Sequence, residues 1–345
     1  YLGPIDGHDV KLISYVLESA KRINGPVLVH VVTKKGKGYK YAEQFPTKFH
    51  GISRFRVETG KAQKPEKSED YSSAFGAALT ELARQSERVC AVTAAMPVGT
   101  GLSAFSREFP DRFFDAGIAE QHAVTFAAGL AKGGFIPVVA VYSSFLQRAY
   151  DQLLHDVCLQ NLPVTLCIDR AGLTGEDGDT HQGLFDLSML LSMPRMHVFA
   201  PTTQQQMRQA FDASLQMEGP CAIRYPKGCL PACAEADACS IFQWPLPQLL
   251  PSYAILATGK TVSIAQPAAA QLNQKGVPTV CIPVACVKPM DVDALQRLAQ
   301  SCSCILTVEE GMYNGGFGSS VAQWMQQHFP NCRVLNMAIA DQFVE

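Results

Sequence analysis

The chain has 345 residues, of which 47% are hydrophobic and 17% charged, with a formal net charge of -2. That length predicts two or three compact units. Positive charge is scattered apart from the Lys34-Lys35-Gly36-Lys37 cluster, so no nucleic-acid surface is expected, and no apolar run is long enough to span a membrane.

The chain opens at Tyr1 with neither a methionine nor a signal-peptide pattern, and its first residues read as a loop leading into a helix. Residues 9–23 place Val10, Ile13, Val16 and Leu17 at helical spacing, Asn24-Gly25-Pro26 stops the helix, and 27–33 reads as a buried strand. One helix and one strand do not make a domain, so this segment is expected to be the tail of a larger α/β unit. Residues 34–70, rich in Lys, Gly, Pro and Glu, read as a linker.

From residue 71 the alternation becomes regular. Helices are expected over 71–85, 120–133, 145–160 and 204–216, and strands over 89–95, 112–115, 136–141, 164–168, 196–200 and 222–225. The stretch 124–131 is almost uncharged and is expected to be buried all round. A second linker, 229–251, leads to a smaller unit with strands 253–257, 279–283, 304–308 and 333–337 and helices 264–274, 291–299 and 318–328. Apolar strands alternating with helices predict an α/β fold of parallel sheets with helices on both faces. The pattern stops at Glu345 without closing, which suggests a cut at this end too.

Ligands of open parallel sheets sit beyond the carboxyl ends of the strands. That edge gathers Glu120, His122, Tyr142, Phe145, Arg148, Asp169, Arg170, Glu176, Asp177 and His181, a mixture of titratable groups and rings suited to a charged substrate and a planar cofactor. Glu120 has two readings from its local sequence: a desolvated carboxyl that handles a proton, or a helix-start residue that satisfies backbone donors. His122, beside Glu120, should point elsewhere on the helix, and His155 and Asp156 read as structural. The twelve cysteines show no C-x-x-C; Cys302-x-Cys304 and the group Cys229, Cys233, Cys239 come nearest to a metal pattern, and buried or surface thiols in a reducing compartment are the expectation.

The strings FDAGIAEQHAVTFAAGLA, YSSFLQRAYDQLLHDV, IDRAGLTGEDGDTHQG, IRYPKG, YLGPIDGH and FHGISRF closely resemble the 1-deoxy-D-xylulose-5-phosphate synthases, thiamine diphosphate enzymes related to transketolase. The resemblance runs the length of the chain. It implies a transketolase-like fold in which 1–70 ends a diphosphate-binding domain and forms a linker, 71–228 is a pyrimidine-binding domain, and 229–345 is an incomplete C-terminal domain. It implies that Glu120 bonds the cofactor's pyrimidine ring nitrogen and favours the imino tautomer that generates the reactive form. Phe145 is implied to stack on that ring, Tyr39 to line the cofactor, and His50 and His181 to move protons. Arg170 and Arg224 match the family's phosphate contacts, Tyr142 and Asp177 its polar substrate groups, with Arg148 and Lys40 as weaker candidates.

The implied reaction condenses pyruvate with D-glyceraldehyde 3-phosphate, with thiamine diphosphate and Mg2+ as cofactors and a homodimer as the assembly. No nucleic-acid or membrane partner is implied, and the expected compartment is bacterial cytoplasm, or plastid stroma for a plant or algal protein. One departure stands out: the Gly-Asp-Gly segment that holds diphosphate and metal in the family does not occur in these residues, so no metal ligand is expected in this chain. Two alternatives stay open, namely another thiamine enzyme (a transketolase or a 2-oxoacid dehydrogenase beta subunit) and a non-catalytic fragment or homologue.

Overall fold

A computed structural model describes residues 1–52, 54–62, 70–175, 178–230 and 240–345, in two compact units, 1–68 and 69–345. In the first unit, strand β1 (Leu2–Asp6) pairs in parallel with β2 (Val29–Val32) across helix α1 (Val10–Ala20). Asp9 caps that helix by accepting from the Leu12 N–H. The opening residues therefore form a strand where a loop was expected. β2 is exposed along most of its length, because a two-stranded sheet with one helix that buries none of its own residues encloses no core.

The stretch read as a linker also carries structure. It holds helix α2 (Lys40–Gln44) and a hairpin of β3 (Phe55–Arg56) and β4 (Lys61–Ala62). The rings of Tyr39, Tyr41, Phe49 and Phe55 gather with centroids 5.3–6.0 Å apart. Ring packing of this kind needs no sequence period, so pattern reading passes over it.

The second unit is built on two sheets. The larger has seven strands in the order β13-β9-β10-β8-β7-β5-β6: β5 (Val89–Thr93), β6 (Phe113–Asp115), β7 (Ile136–Tyr142), β8 (Thr165–Asp169), β9 (His197–Phe199), β10 (Cys221–Arg224) and β13 (Cys286–Lys288). All its pairs are parallel except β13 with β9. The smaller sheet is parallel throughout, in the order β12-β11-β14-β15, from β11 (Tyr253–Thr258), β12 (Thr279–Val284), β14 (Cys304–Met312) and β15 (Arg333–Ile339). The expected class, parallel sheets with helices on both faces, is what the chain adopts.

Two apolar layers cover the larger sheet. Helices α3 (Tyr71–Gln85), α4 (Ser103–Glu108) and α9 (Gln204–Gln216) bury Phe75, Leu79, Phe105 and Phe211 on one face. Helices α5 (Glu120–Lys132) and α8 (Asp186–Leu191) bury Val124, Ala127, Leu187 and Leu190 on the other, in a core continuous with the smaller sheet. The smaller sheet carries α10 (Val262–Gln274), α11 (Val292–Ser301) and α12 (Phe317–His328).

Two expectations about helices need correction. α5 is not buried all round: Ala123, Val124, Ala127, Ala128 and Ala131 face the core while Gln121, His122, Thr125 and Gly129 are exposed, so a stripe of small residues does the packing. The single helix expected over 145–160 is a broken series: α6 (Ser143–Leu146), a 3-10 turn (Gln147–Ala149), α7 (Tyr150–Gln152) and a π-helical turn (Leu153–Cys158). A π turn inserts an extra residue per turn, a change with no composition signal. His155 lies exposed on that turn, paired with Asp151 at 2.8 Å.

Phe75 is fully buried and packs against the rings of Phe211 and Tyr225 at 5.6 and 5.8 Å. Phe75→Ala is therefore expected to lower the unfolding free energy by about 3–5 kcal/mol in chemical denaturation; a loss under about 1 kcal/mol would show that this layer is not a packed core.

Candidate functional site

The carboxyl ends of the central strands supply the candidate site. β7 ends at Tyr142 and β8 at Asp169, and these two residues are register partners. β6 ends at Asp115, whose carboxylate accepts from the N–H groups of Ala95 (2.7 Å) and Gly117 (3.0 Å). Asp115 thereby ties the loop after β5 to the short connection that leads into α5, and so fixes where Glu120 emerges.

Glu120 is the first residue of α5 and 3% exposed. Its Oε1 accepts from Arg148 Nη1 at 2.8 Å. The Arg148 guanidinium also lies 5.3 Å from the centre of the Phe145 ring. Phe145 in turn stacks with Tyr142 (5.8 Å, 22°) and meets the His181 ring edge-on at 5.3 Å. Thr180 Oγ1 pairs with Nδ1 of His181 at 2.9 Å. Glu120, Tyr142, Phe145, Arg148 and His181 are thus brought together from three separate stretches of sequence.

Arg170, directly after β8, has a backbone φ of +58°, a conformation that costs energy for a side-chain-bearing residue. Its guanidinium lies 3.8 Å over the Tyr142 ring, donates to the Gly99 carbonyl at 3.0 Å and sits 3.1 Å from the Asp169 carboxylate. Burial pushes the Asp169 carboxyl up to about 6, partly offset by Arg170 and by the hydrogen bond from Ser72 at 2.6 Å.

Arg224, the last residue of β10, is buried and held by Asp186 through Nε (2.9 Å) and Nη2 (3.2 Å). Burial opposes its charge, but the Asp186 carboxylate outweighs that and raises its pKa. The smaller sheet delivers Glu309 and Glu310 to the same neighbourhood. Glu309 accepts from the first N–H groups of α12, Phe317 at 3.0 Å and Gly318 at 2.7 Å, while Glu310 packs against Gly172 in the loop after Arg170. Burial raises the pKa of both carboxyls.

Tyr39, Lys40 and His50 belong to the 1–68 unit. There Tyr39 donates its hydroxyl to the Val57 carbonyl at 2.7 Å, Lys40 is exposed at the start of α2, and His50 Nδ1 pairs with Lys35 Nζ at 3.1 Å. Asp177, Glu176, Cys233 and Cys239 lie outside the described residues. Among the described residues no cluster of three His, Cys, Asp or Glu could hold a metal, and no helix is long and apolar enough to cross a membrane. Sequence reading missed Gly99, Asp115, Asp186, Glu309 and Glu310; the two adjacent glutamates inside an otherwise apolar strand were the available signal.

The raised Asp169 carboxyl has a consequence for stability. In the unfolded chain it titrates near 3.8 and in the fold near 6, so the fold holds the proton more tightly and stability from this group falls as pH rises through that window. Asp169→Asn should therefore gain stability over the parent between pH 4 and pH 7, by on the order of 2–3 kcal/mol in denaturant titrations. A difference that stays flat with pH would contradict this environment.

Three family profiles match the chain. "Transketolase, pyrimidine binding domain" matches residues 67–232, "Transketolase, C-terminal domain" residues 250–345, and "1-deoxy-D-xylulose-5-phosphate synthase" residues 1–33. Among curated proteins, the chain is similar to the 1-deoxy-D-xylulose-5-phosphate synthases of Symbiobacterium thermophilum (49% identity, all of this chain and 53% of that protein) and Syntrophus aciditrophicus (47%, all of this chain and 54%). The chain spans about half the length of the curated relatives it matches. Among solved structures, it resembles a split gene transketolase described as an inactive beta4 tetramer, with a TM-score of 0.73 and 29% identity over 81% of this chain and 92% of that one. A Pichia stipitis transketolase, at TM-score 0.62 and 18% identity over 71% of this chain and 39% of that one, shares the fold. The chain belongs to the transketolase-like family of 1-deoxy-D-xylulose-5-phosphate synthases.

Proposed function

We propose that the protein to which this chain belongs condenses pyruvate with D-glyceraldehyde 3-phosphate, with loss of carbon dioxide, as a thiamine diphosphate-dependent 1-deoxy-D-xylulose-5-phosphate synthase acting as a homodimer at the entry to isoprenoid-precursor synthesis. Residues 71–228 would be its pyrimidine-binding domain and 229–345 its C-terminal domain. The observation that carries the reading is the buried Glu120 carboxylate beside the Phe145 ring, with the Arg170–Tyr142 pair on the same strand edge. A buried acid, a stacking ring and a cation suit a planar heterocycle with hydrogen-bonding edges.

Glu120 and Phe145 would hold the pyrimidine ring, the first through a hydrogen bond to a ring nitrogen and the second through its face, with Tyr39 as a further cofactor contact. When bound, the cofactor supplies the electron sink for decarboxylation. The hydrogen bond between Glu120 and the ring nitrogen would bias the tautomer of the ring it touches. His181, through Nε2, and His50 would supply and remove protons at the reacting carbons. Mg2+ and the diphosphate would be held outside these 345 residues, since the Gly-Asp-Gly segment is absent from them.

Arg170 and Arg224 would take the phosphate of the aldehyde, Arg224 through Nη1, the nitrogen that Asp186 leaves unused. Tyr142 and Asp177 would bind its hydroxyl and carbonyl oxygens. Arg148 would contribute charge by closing over Glu120, and Lys40 would be a further, weaker contact for the phosphate.

Glu120→Gln keeps shape while removing the ionisable group, so turnover with both substrates is expected to fall at least about a hundredfold with the melting temperature retained; activity within about tenfold of the parent would defeat the assignment. Arg170→Ala is expected to raise KM for the phosphorylated aldehyde at least about tenfold; a change confined to pyruvate kinetics would remove Arg170 from the phosphate site.

A further inference from the structure

The Arg170 guanidinium is confined on three sides, by Tyr142 and Asp169 from the strand edge that sequence reading gathered and by Gly99, which it did not. The Tyr142 ring lies 3.8 Å beneath it, the Gly99 carbonyl takes one of its N–H groups at 3.0 Å, and the Asp169 carboxylate stands 3.1 Å away. Gly99 touches both partners at once: a Cβ built there would lie 1.8 Å from the Tyr142 hydroxyl oxygen. The loop carrying Gly99 is closed on itself by Thr100 N–H to Met96 O (3.0 Å) and Leu102 N–H to Pro97 O (2.8 Å). It is also pressed onto α3, where Gly76 has no room for a Cβ against the Gly101 carbonyl. Its carbonyl is therefore a fixed acceptor.

Asp169 is fully buried, and only one of its oxygens has a well-aligned donor, Ser72 at 2.6 Å; Oδ1 faces Arg170 without an aligned hydrogen bond. A buried, half-satisfied carboxylate is a poor way to stabilise a fold. Its position, register-paired with Tyr142 and next to a left-handed Arg170, fits a different use.

We propose that Gly99 and Asp169 are positioning residues that lock Arg170 against Tyr142, so that the free edge of the guanidinium is pre-set for the phosphate of the aldehyde. Preorganisation of this kind strengthens binding of the phosphorylated acceptor without touching the reacting carbon. The proposal rests on Arg170 being a phosphate contact.

The test compares Gly99→Ala, Asp169→Asn and the milder Ser72→Ala in the full-length enzyme with cofactor bound, using D-glyceraldehyde 3-phosphate and unphosphorylated D-glyceraldehyde at saturating pyruvate. For Asp169→Asn, KM for the phosphorylated aldehyde is expected to rise at least about tenfold with kcat within about threefold, while kcat/KM for the unphosphorylated aldehyde stays within about threefold; Gly99→Ala, whose Cβ also meets the Tyr142 hydroxyl, should raise KM for the phosphorylated aldehyde more than for the unphosphorylated one. Ser72→Ala should show the same selective change at smaller size, which keeps the proposal testable if Gly99→Ala fails to fold. Asp169→Asn should lose phosphate selectivity without losing thermal stability at neutral pH, a split that a merely structural residue would not give. Equal losses with both aldehydes, or an unchanged KM, would overturn the proposal. If Arg170→Ala raises KM and these variants do not, the positioning role alone falls; if Arg170→Ala is silent too, the phosphate reading of Arg170 falls with it.

Discussion

The site depends on one ion pair, Glu120 with Arg148. Glu120 is 3% exposed at the start of α5, and a carboxylate moved out of water is costly unless a cation or donor meets it. Arg148 meets it from the opposite side of the site, keeps half of its own surface in solvent, and reaches across the Phe145 ring to do so. The broken helical segment that follows β7 places both Phe145 and Arg148. A regular helix through that segment would space its side chains differently, so the irregularity there is part of how the acid and the ring come to face one space.

Around that pair the strand ends distribute charge in small closed groups. Asp115 pins two loops, Asp169 and Tyr142 frame Arg170, Asp186 grips Arg224, and Glu309 takes the N-terminus of α12 while Glu310 packs on the loop that leads to His181. Apart from the exposed Asp115, these groups bury charge at a desolvation cost, which makes sense where the positions of charges matter. The chain beyond residue 250 belongs to this arrangement as well, because β14 of the smaller sheet supplies two of the carboxyls and β13 completes the edge of the larger sheet.

Much of this was readable in the residues. Long apolar strands and amphipathic helices from Tyr71 onward gave the parallel sheets, and the helices Tyr71–Gln85 and Gln204–Gln216 carry caps, Asp70 and Thr203, that mark their starts. The rule that ligands gather at carboxyl strand ends collected Glu120, Tyr142, Phe145, Arg148, Arg170 and His181 without any coordinates. What stayed hidden has physical reasons. β13 is three residues long and pairs antiparallel with a strand nearly ninety positions earlier in sequence, a contact no local period encodes. Gly99 matters for the side chain it lacks, and Asp186 for a partner thirty-eight residues away. The π turn at Leu153–Cys158 has an ordinary helical composition.

The central claim is that the Glu120 carboxyl, presented beside the Phe145 face, meets a heterocycle through a hydrogen bond. A crystal structure of the full-length protein with thiamine diphosphate and Mg2+ tests it directly. The account predicts a Glu120 carboxyl oxygen about 2.5–2.9 Å from a pyrimidine ring nitrogen, with the Phe145 ring against the same heterocycle. A cofactor bound elsewhere, with Glu120 still paired only to Arg148, would contradict it.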